Sequence, residues 1–129
     1  RHVVPHLAAL QAPWSVSAPA IAATLACCQR AASIESRRRA EQLGEWRETL
    51  TSGLSKRRIE FVPSAAPFVL AQVGPGMHAA LREVGIAVRR ADTFPGLDAS
   101  WVRIAVRPPT STTRLLTALD AVRAHRLTH

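Results

Sequence analysis

The stretch GIAVRRADTFPGLDASWVRIAVR, residues 85 to 107, contains two predicted strands. Apolar residues alternate in each run, at Ile86 and Val88 before the turn-rich connection and at residues 102, 104 and 106 after it. Because successive side chains of a strand point to opposite faces, one face of this pair is aliphatic. The opposite face displays Arg89, Arg103 and Arg107. The stretch therefore predicts part of a small sheet with arginines along one side.

The segments around this stretch alternate between strand and helix patterns. We predict, in chain order, two short strands or one interrupted strand at residues 59 to 62 and 68 to 73, a turn at 74 to 76 and a helix at 77 to 84. After the stretch, a last helix is capped by Thr110 or Ser111. Strands interleaved with helices that cover one sheet face predict an α+β, two-layer domain. Its predicted order after the N-terminal helices is β-α-β-β-α, and its sheet is small and mainly antiparallel.

Helical patterns precede the sheet. A short helix is predicted over His2 to Gln11, ending before Pro13, and a second over residues 20 to 32 with Ser17 as its N-cap. The second helix is apolar nearly all round, so we expect it to be buried or to lie at an interface. Its adjacent cysteines, Cys27 and Cys28, are expected to be small buried hydrophobic residues without a disulfide or a metal.

The next segment predicts an amphipathic helix. Charged residues surround an apolar stripe made of Ala40, Leu43, Trp46, Leu50 and Leu54. The triplet Arg37 to Arg39 is interpreted as part of a solvated helix face, with a phosphate-binding cluster as the alternative.

Composition restricts the class of protein. The 129 residues fit one domain with its own core, and no run of eighteen apolar residues or signal-peptide pattern occurs, so the cytosol is the expected compartment. The net charge of +8 is compatible with nucleic-acid binding. However, Lys56 is the only lysine, tyrosine is absent, and only three Phe and three Trp could stack on bases. Since the chain begins at Arg1, we expect it to be part of a longer protein.

Motifs for covalent or metal chemistry are absent from the sequence. It contains no glycine-rich phosphate loop, HExxH or GxSxG, and its five histidines (His2, His6, His78, His125, His129) lack metal-ligand spacing. The arginine face remains as the candidate site, since guanidinium groups bind carboxylates and phosphates through paired hydrogen bonds. The alternative is that these arginines, with Arg90, lie on a solvated sheet face.

Four segments, in their order and spacing, resemble a known family: PWSVSAPAIAATLA at 13 to 26, FVPSAAPFVLAQV at 61 to 73, GIAVR at 85 to 89 and WVRIAVR at 101 to 107. They are similar to the C-terminal part of pyridoxal-phosphate enzymes of the aspartate aminotransferase superfamily. Within it, the pattern resembles histidinol-phosphate aminotransferases and the threonine-phosphate decarboxylases of cobalamin biosynthesis. The tryptophan of PWSVSAP and the pair GIAVR with FPGLDASWVRIAVR favour the cobalamin branch.

The resemblance implies a role for two arginines. By motif position, Arg103 binds the substrate α-carboxylate and Arg89 the substrate phosphate, so the substrate is a phosphorylated amino acid or amino alcohol. Pro67 stands where the aminotransferase branch has an asparagine, and decarboxylation and transamination both remain open. The resemblance further implies a homodimeric intact enzyme.

The resemblance also implies which parts lie elsewhere. Residues 1 to 129 correspond to the small domain with connecting helices at 17 to 54, whereas the Schiff-base lysine and cofactor-phosphate residues belong to a large domain. Lys56 matches no motif, so we expect this chain alone to bind no pyridoxal phosphate and to be inactive. The alternatives are a free-standing small-ligand sensor domain and a basic nucleic-acid-binding module.

Overall fold

The structure, a computed structural model, describes residues 3 to 10 and 16 to 127. Its elements are α1 (Val3–Leu10), α2 (Ala18–Cys27), α3 (Arg30–Lys56), β1 (Glu60–Val62), β2 (Phe68–Gln72), α4 (Met77–Glu83), β3 (Arg89–Arg90), β4 (Trp101–Ala105) and α5 (Pro109–Leu127). The chain divides into two compact units, and the boundary lies between Arg38 and Arg39, inside α3. Of the residues discussed above, Arg1, His2, Gln11, Pro13, Trp14, Ser15 and His129 lie outside the described ranges.

The second unit contains a four-stranded sheet in the order β1-β2-β4-β3. All three pairings are antiparallel, and the β2–β4 ladder is the longest, running from Phe68 opposite Ala105 to Gln72 opposite Trp101. In β2 and β4, buried residues alternate with more exposed ones, which is the pattern of a half-buried sheet. The predicted α+β class and small antiparallel sheet are confirmed.

Helices cover one face of this sheet. Val69 and Ala71 of β2 and Val102 and Ile104 of β4 project from that face into a core completed by α3, α4 and α5. The helical contributions to the core are Leu50, Leu54, Met77, Leu81, Leu115, Leu119 and Val122. Each fully buried leucine stabilises the fold by about 1.5 to 3 kcal/mol relative to exposure. Of the predicted apolar stripe of α3, Leu50 and Leu54 lie in this core and Leu43 and Trp46 pack against it, whereas Ala40 is exposed.

A close approach joins α3 and α5. A Cβ added at Gly53 would lie 2.3 Å from Cδ1 of Leu116, so any side chain at position 53 would force the Leu116 side chain to move. Beside it, Arg57 donates two hydrogen bonds to the Asp120 carboxylate, at 2.8 and 2.7 Å. Arg123 of α5 donates in turn to the backbone oxygen of Arg57. These contacts fix the end of α3 against α5.

The helix after Ser17 differs from its prediction. Ser17 is the N-cap, as predicted, and its side chain accepts a hydrogen bond from the Ala20 amide. However, α2 ends at Cys27 rather than continuing to residue 32, and α3 begins at Arg30. Cys27 and Cys28 are exposed, so their predicted burial is wrong. The reason is that α2 has apolar side chains all round, and none of its residues is buried by the described elements.

Two boundaries after β2 also differ. The predicted strand with Ile86 and Val88 is shorter and lies later in the chain, at Arg89 and Arg90, because only these two residues pair with β4. The last helix begins at Pro109, before the predicted cap at Thr110 or Ser111. Proline suits the first helical position because its ring presets φ and its missing N–H has no intrahelical partner there.

Candidate anion-binding site

Strand pairing places two arginines side by side. Arg89 of β3 is the direct partner of Arg103 of β4. Opposite residues in an antiparallel pair project from the same face. Because Val102 and Ile104, the neighbours of Arg103, point into the core, both arginines lie on the sheet face turned away from the helices. The structure thus brings together the two arginines that the sequence singled out.

A groove of about 450 Å³ lies on this face. It is lined by Pro67, Phe68, Ala87, Val88, Arg89, Arg103 and Ala105. Arg89 is exposed and Arg103 is half-buried. Among the described residues, no side-chain or backbone acceptor forms a hydrogen bond or ion pair with either guanidinium. Their donors are therefore available to an external anion.

An aromatic ring contacts the more buried arginine. The guanidinium carbon of Arg103 lies over the Phe68 ring, 4.7 Å from its centroid. Phe68 was not among the predicted site residues. The register of β2 and β4 identifies Phe68 as part of the site, because Leu70 lies directly opposite Arg103. Phe68 is two residues from Leu70, so it lies on the same face as Arg103 and diagonally across from it.

The other two arginines of the stretch lie elsewhere. Arg107 follows the end of β4 and lines a second cavity of about 230 Å³ with Arg114 of α5. Arg90 is the partner of Val102 and forms two hydrogen bonds with Asp92. That hydrogen-bonded ion pair lowers the pKa of Asp92 and raises the pKa of Arg90. Neither Arg107 nor Arg90 therefore belongs to the site formed by Arg89 and Arg103.

The carboxylate of Asp98 stabilises the loop between β3 and β4. Asp98 accepts hydrogen bonds from the hydroxyl and the amide of Ser100, and these bonds lower its pKa. A lowered pKa keeps the group ionised at neutral pH and unsuited to donate a proton. Within the described ranges, no three His, Cys, Asp or Glu side chains are grouped to hold a metal ion.

The remaining candidates from the sequence lie on α3. Lys56 is the exposed last residue of that helix and does not line the arginine groove. Arg38, in the middle of the predicted triplet, donates two hydrogen bonds to Glu35 on the same helix, and this pairing raises the pKa of Arg38. The exposed pair is typical of a solvated helix face.

Comparison with known proteins defines the family. The profile of aminotransferase class I and II matches residues 1 to 122, so the chain belongs to this family. Histidinol-phosphate aminotransferases of Mycobacterium tuberculosis and Mycobacterium bovis are 39% identical to it over 108 residues. The matched region covers 82% of this chain but only 30% of each relative. The chain thus corresponds to less than a third of their length.

Solved structures share the fold. The histidinol-phosphate aminotransferase of Clostridium acetobutylicum superposes with a TM-score of 0.74 at 28% identity, over 91% of this chain and 36% of that one. A decarboxylase from Sulfurospirillum multivorans has a TM-score of 0.68 at 20% identity, over 93% and 36% of the two chains, and shows the fold alone. No helix in the described part of the chain is long and apolar enough to cross a membrane.

Proposed function

We propose that this chain is the substrate-binding small domain, with connecting helices at residues 17 to 54, of an enzyme that acts on a phosphorylated amino acid or amino alcohol. Arg103 binds the α-carboxylate and Arg89 binds the phosphate. The observation that carries this proposal is that both arginines line one groove and have no acceptor among the described residues.

The geometry suits a ligand with two anionic ends. Each guanidinium is planar and can form two parallel hydrogen bonds with one oxyanion, which sets the orientation of that group as well as attracting its charge. Two such groups on paired strands are held by the backbone ladder rather than by a loop. Their role is therefore to orient the bond at the substrate Cα that reacts.

Pyridoxal phosphate is the proposed cofactor of the intact enzyme, where it would supply the electron acceptor for the reaction. The residues of this chain do not fit it. Its only lysine, Lys56, is exposed at the end of α3 and outside the groove. We therefore assign the cofactor to a large domain that residues 1 to 129 do not contain, and expect the isolated chain to be inactive. The proposed setting is a cytosolic homodimer.

Two reactions are compatible with the site. The mycobacterial relatives carry the name of aminotransferases for histidinol phosphate, which supports amino transfer. This amino alcohol phosphate has no carboxylate, so in that reaction Arg103 would bind the carboxylate of the 2-oxo acid that accepts the amino group. The tryptophan of PWSVSAP and the motif GIAVR support the threonine-phosphate decarboxylases of cobalamin biosynthesis, which is the pathway we propose. Incubating the full-length protein with threonine phosphate and measuring released carbon dioxide, beside amino transfer from histidinol phosphate to a 2-oxo acid, separates the two reactions.

The ligand assignment can be tested with three probes and the full-length protein. O-phospho-L-serine carries both anions, O-phosphoethanolamine lacks the carboxylate, and L-serine lacks the phosphate. Arg103→Gln should weaken O-phospho-L-serine binding by about 10- to 100-fold, the value of a charged hydrogen bond, while sparing O-phosphoethanolamine. Arg89→Gln should weaken both phosphate probes and spare L-serine. Isothermal titration calorimetry measures all nine affinities.

Arg82→Gln is the matched control, because it removes the same charge from an exposed position on α4. Its affinities should equal those of the wild type. A wild-type protein that binds O-phospho-L-serine no more tightly than either partial probe would contradict the assignment. A sensor domain predicts instead that the 129-residue chain alone binds the probe with saturation. A nucleic-acid module predicts binding that falls steeply with salt and depends on Arg37 to Arg39.

A further inference from the structure

The contact between Phe68 and Arg103 is fixed by the longest ladder of the sheet. Five consecutive residue pairs join β2 to β4, so neither strand can slip without moving its buried residues to the opposite face. The ring and the guanidinium are diagonal neighbours, 4.7 Å apart between the ring centroid and the guanidinium carbon. The backbone therefore sets this contact.

The ring attracts the guanidinium without occupying its donors. The negative face of an aromatic ring attracts a cation through its quadrupole, and this requires none of the five N–H groups of arginine. Arg103 forms no hydrogen bond or ion pair with a described residue. Phe68 consequently holds the guanidinium group of Arg103 in place, while the N–H groups of Arg103 remain free to bind an oxyanion.

The position of the ring matters because a second arginine lies on the other side. In the sheet order, β4 lies between β2, which carries Phe68, and β3, which carries Arg89. Like charges directly opposite on paired strands repel each other. Attraction to the Phe68 ring draws the Arg103 head towards β2 and away from Arg89. The two guanidinium groups then stay apart and can bind separate anions.

Phe68 is itself held at the start of its strand. The oxygen of the preceding Pro67 accepts a hydrogen bond of 2.9 Å from the Val106 amide. Arg47 of α3 donates to the oxygen of Ala65 at 3.2 Å, which fixes the loop before β2 to the helical layer. These two hydrogen bonds hold the backbone just before Phe68, and the ladder with β4 holds the backbone after it.

From these contacts we propose that Phe68 is a positioning residue for Arg103, which orients its guanidinium towards the substrate carboxylate and separates it from Arg89. The inference rests on the proposed function, in which Arg103 binds that carboxylate. It concerns the carboxylate end of the ligand alone, since Arg89 does not contact the ring.

The test uses the full-length protein with Phe68→Leu, which removes the ring but keeps an apolar side chain, and with Phe68→Tyr, which keeps the ring. Phe68→Leu should weaken O-phospho-L-serine binding by about 2- to 10-fold, the range of a partly exposed cation–π contact, and leave O-phosphoethanolamine unchanged. Phe68→Tyr should retain wild-type affinity for both. Phe61→Leu, the same replacement at a half-buried phenylalanine of β1 without an arginine over it, should alter neither affinity.

A second measurement needs no ligand. The ring current of Phe68 should shift the side-chain proton resonances of Arg103 upfield in nuclear magnetic resonance spectra, and this shift should vanish in Phe68→Leu and persist in Phe68→Tyr. Equal weakening of both phosphate probes by Phe68→Leu, failure of Phe68→Tyr to retain affinity, or an unshifted Arg103 would overturn the inference. If Arg103→Gln weakens O-phospho-L-serine binding and Phe68→Leu does not, only this inference fails. If Arg103→Gln has no effect either, the proposed function fails as well.

Discussion

Replacing Gly53 by alanine adds a methyl group where α3 crosses α5. The new Cβ would lie 2.3 Å from Cδ1, 3.2 Å from Cδ2 and 3.4 Å from Cγ of Leu116, so the Cδ1 methyl group must move out of the way. In a helix interior, the exchange of glycine for alanine alone stabilises by about 1 kcal/mol. Overpacking a core contact costs about 1 to 3 kcal/mol. We therefore expect Gly53→Ala to lower the free energy of unfolding by about 0 to 2 kcal/mol.

Gly44 provides the matched control on the same helix. A Cβ at Gly44 has no atom within 4 Å, so Gly44→Ala should stabilise the protein by about 0.5 to 1 kcal/mol. Urea unfolding followed by tryptophan fluorescence measures both variants. In a Leu116→Ala background the obstruction is gone, and Gly53→Ala should then stabilise as Gly44→Ala does. Equal stabilisation by the two substitutions in the wild-type background would refute the close approach of α3 and α5.

Three further predictions concern the core, an ion pair and the exposed thiols. Leu54→Ala should lower the free energy of unfolding by about 2 to 5 kcal/mol, because Leu54 is fully buried, and a loss below about 1 kcal/mol in urea unfolding would contradict that burial. The hydrogen bonds that Asp120 accepts from Arg57 lower the pKa of Asp120 in the folded protein. The stability that these bonds contribute is therefore present above the unfolded pKa of about 3.9 and is lost as the pH falls through the folded pKa. Asp120→Asn should thus be less stable than the wild type at pH 7, by up to about 1 kcal/mol, and equal to it in acid; a difference that does not shrink on acidification would exclude the ion pair as its source. Cys27 and Cys28 should both react with a thiol reagent in the folded 129-residue chain as fast as a free thiol, and protection of either would contradict its exposure.

Much of the fold could be predicted because the pattern within each element matches the way it packs. The stripe of α3 at Trp46, Leu50 and Leu54 recurs with the period of a helix and points to the sheet. The alternation in β4 places Val102 and Ile104 in the core. Where an element lacks such a pattern, prediction failed: α2 is apolar on all sides, so its sequence carries no information on which side is covered or where the helix ends.

The candidate site was predicted in part. Strand parity assigned Arg89 and Arg103 to one face, and the strand register confirms that they lie opposite each other. Parity alone also grouped Arg107 with them, but β4 ends at Ala105 and Arg107 lines a different cavity. Where a strand ends depends on the partner strand, so the alternation of side chains along one strand could not show that Arg107 lies outside the site.

The α+β class, the small antiparallel sheet and the arginine face can be predicted from the amino-acid sequence, because they follow from local periodicity and from the geometry of a single strand. The contacts of Phe68 with Arg103 and of Gly53 with Leu116 arise when distant segments pack together. These contacts join residues 35 and 63 positions apart in the chain. They depend on which strand pairs with which, in what register, and on how closely two helices approach, and no pattern within one element specifies those relations.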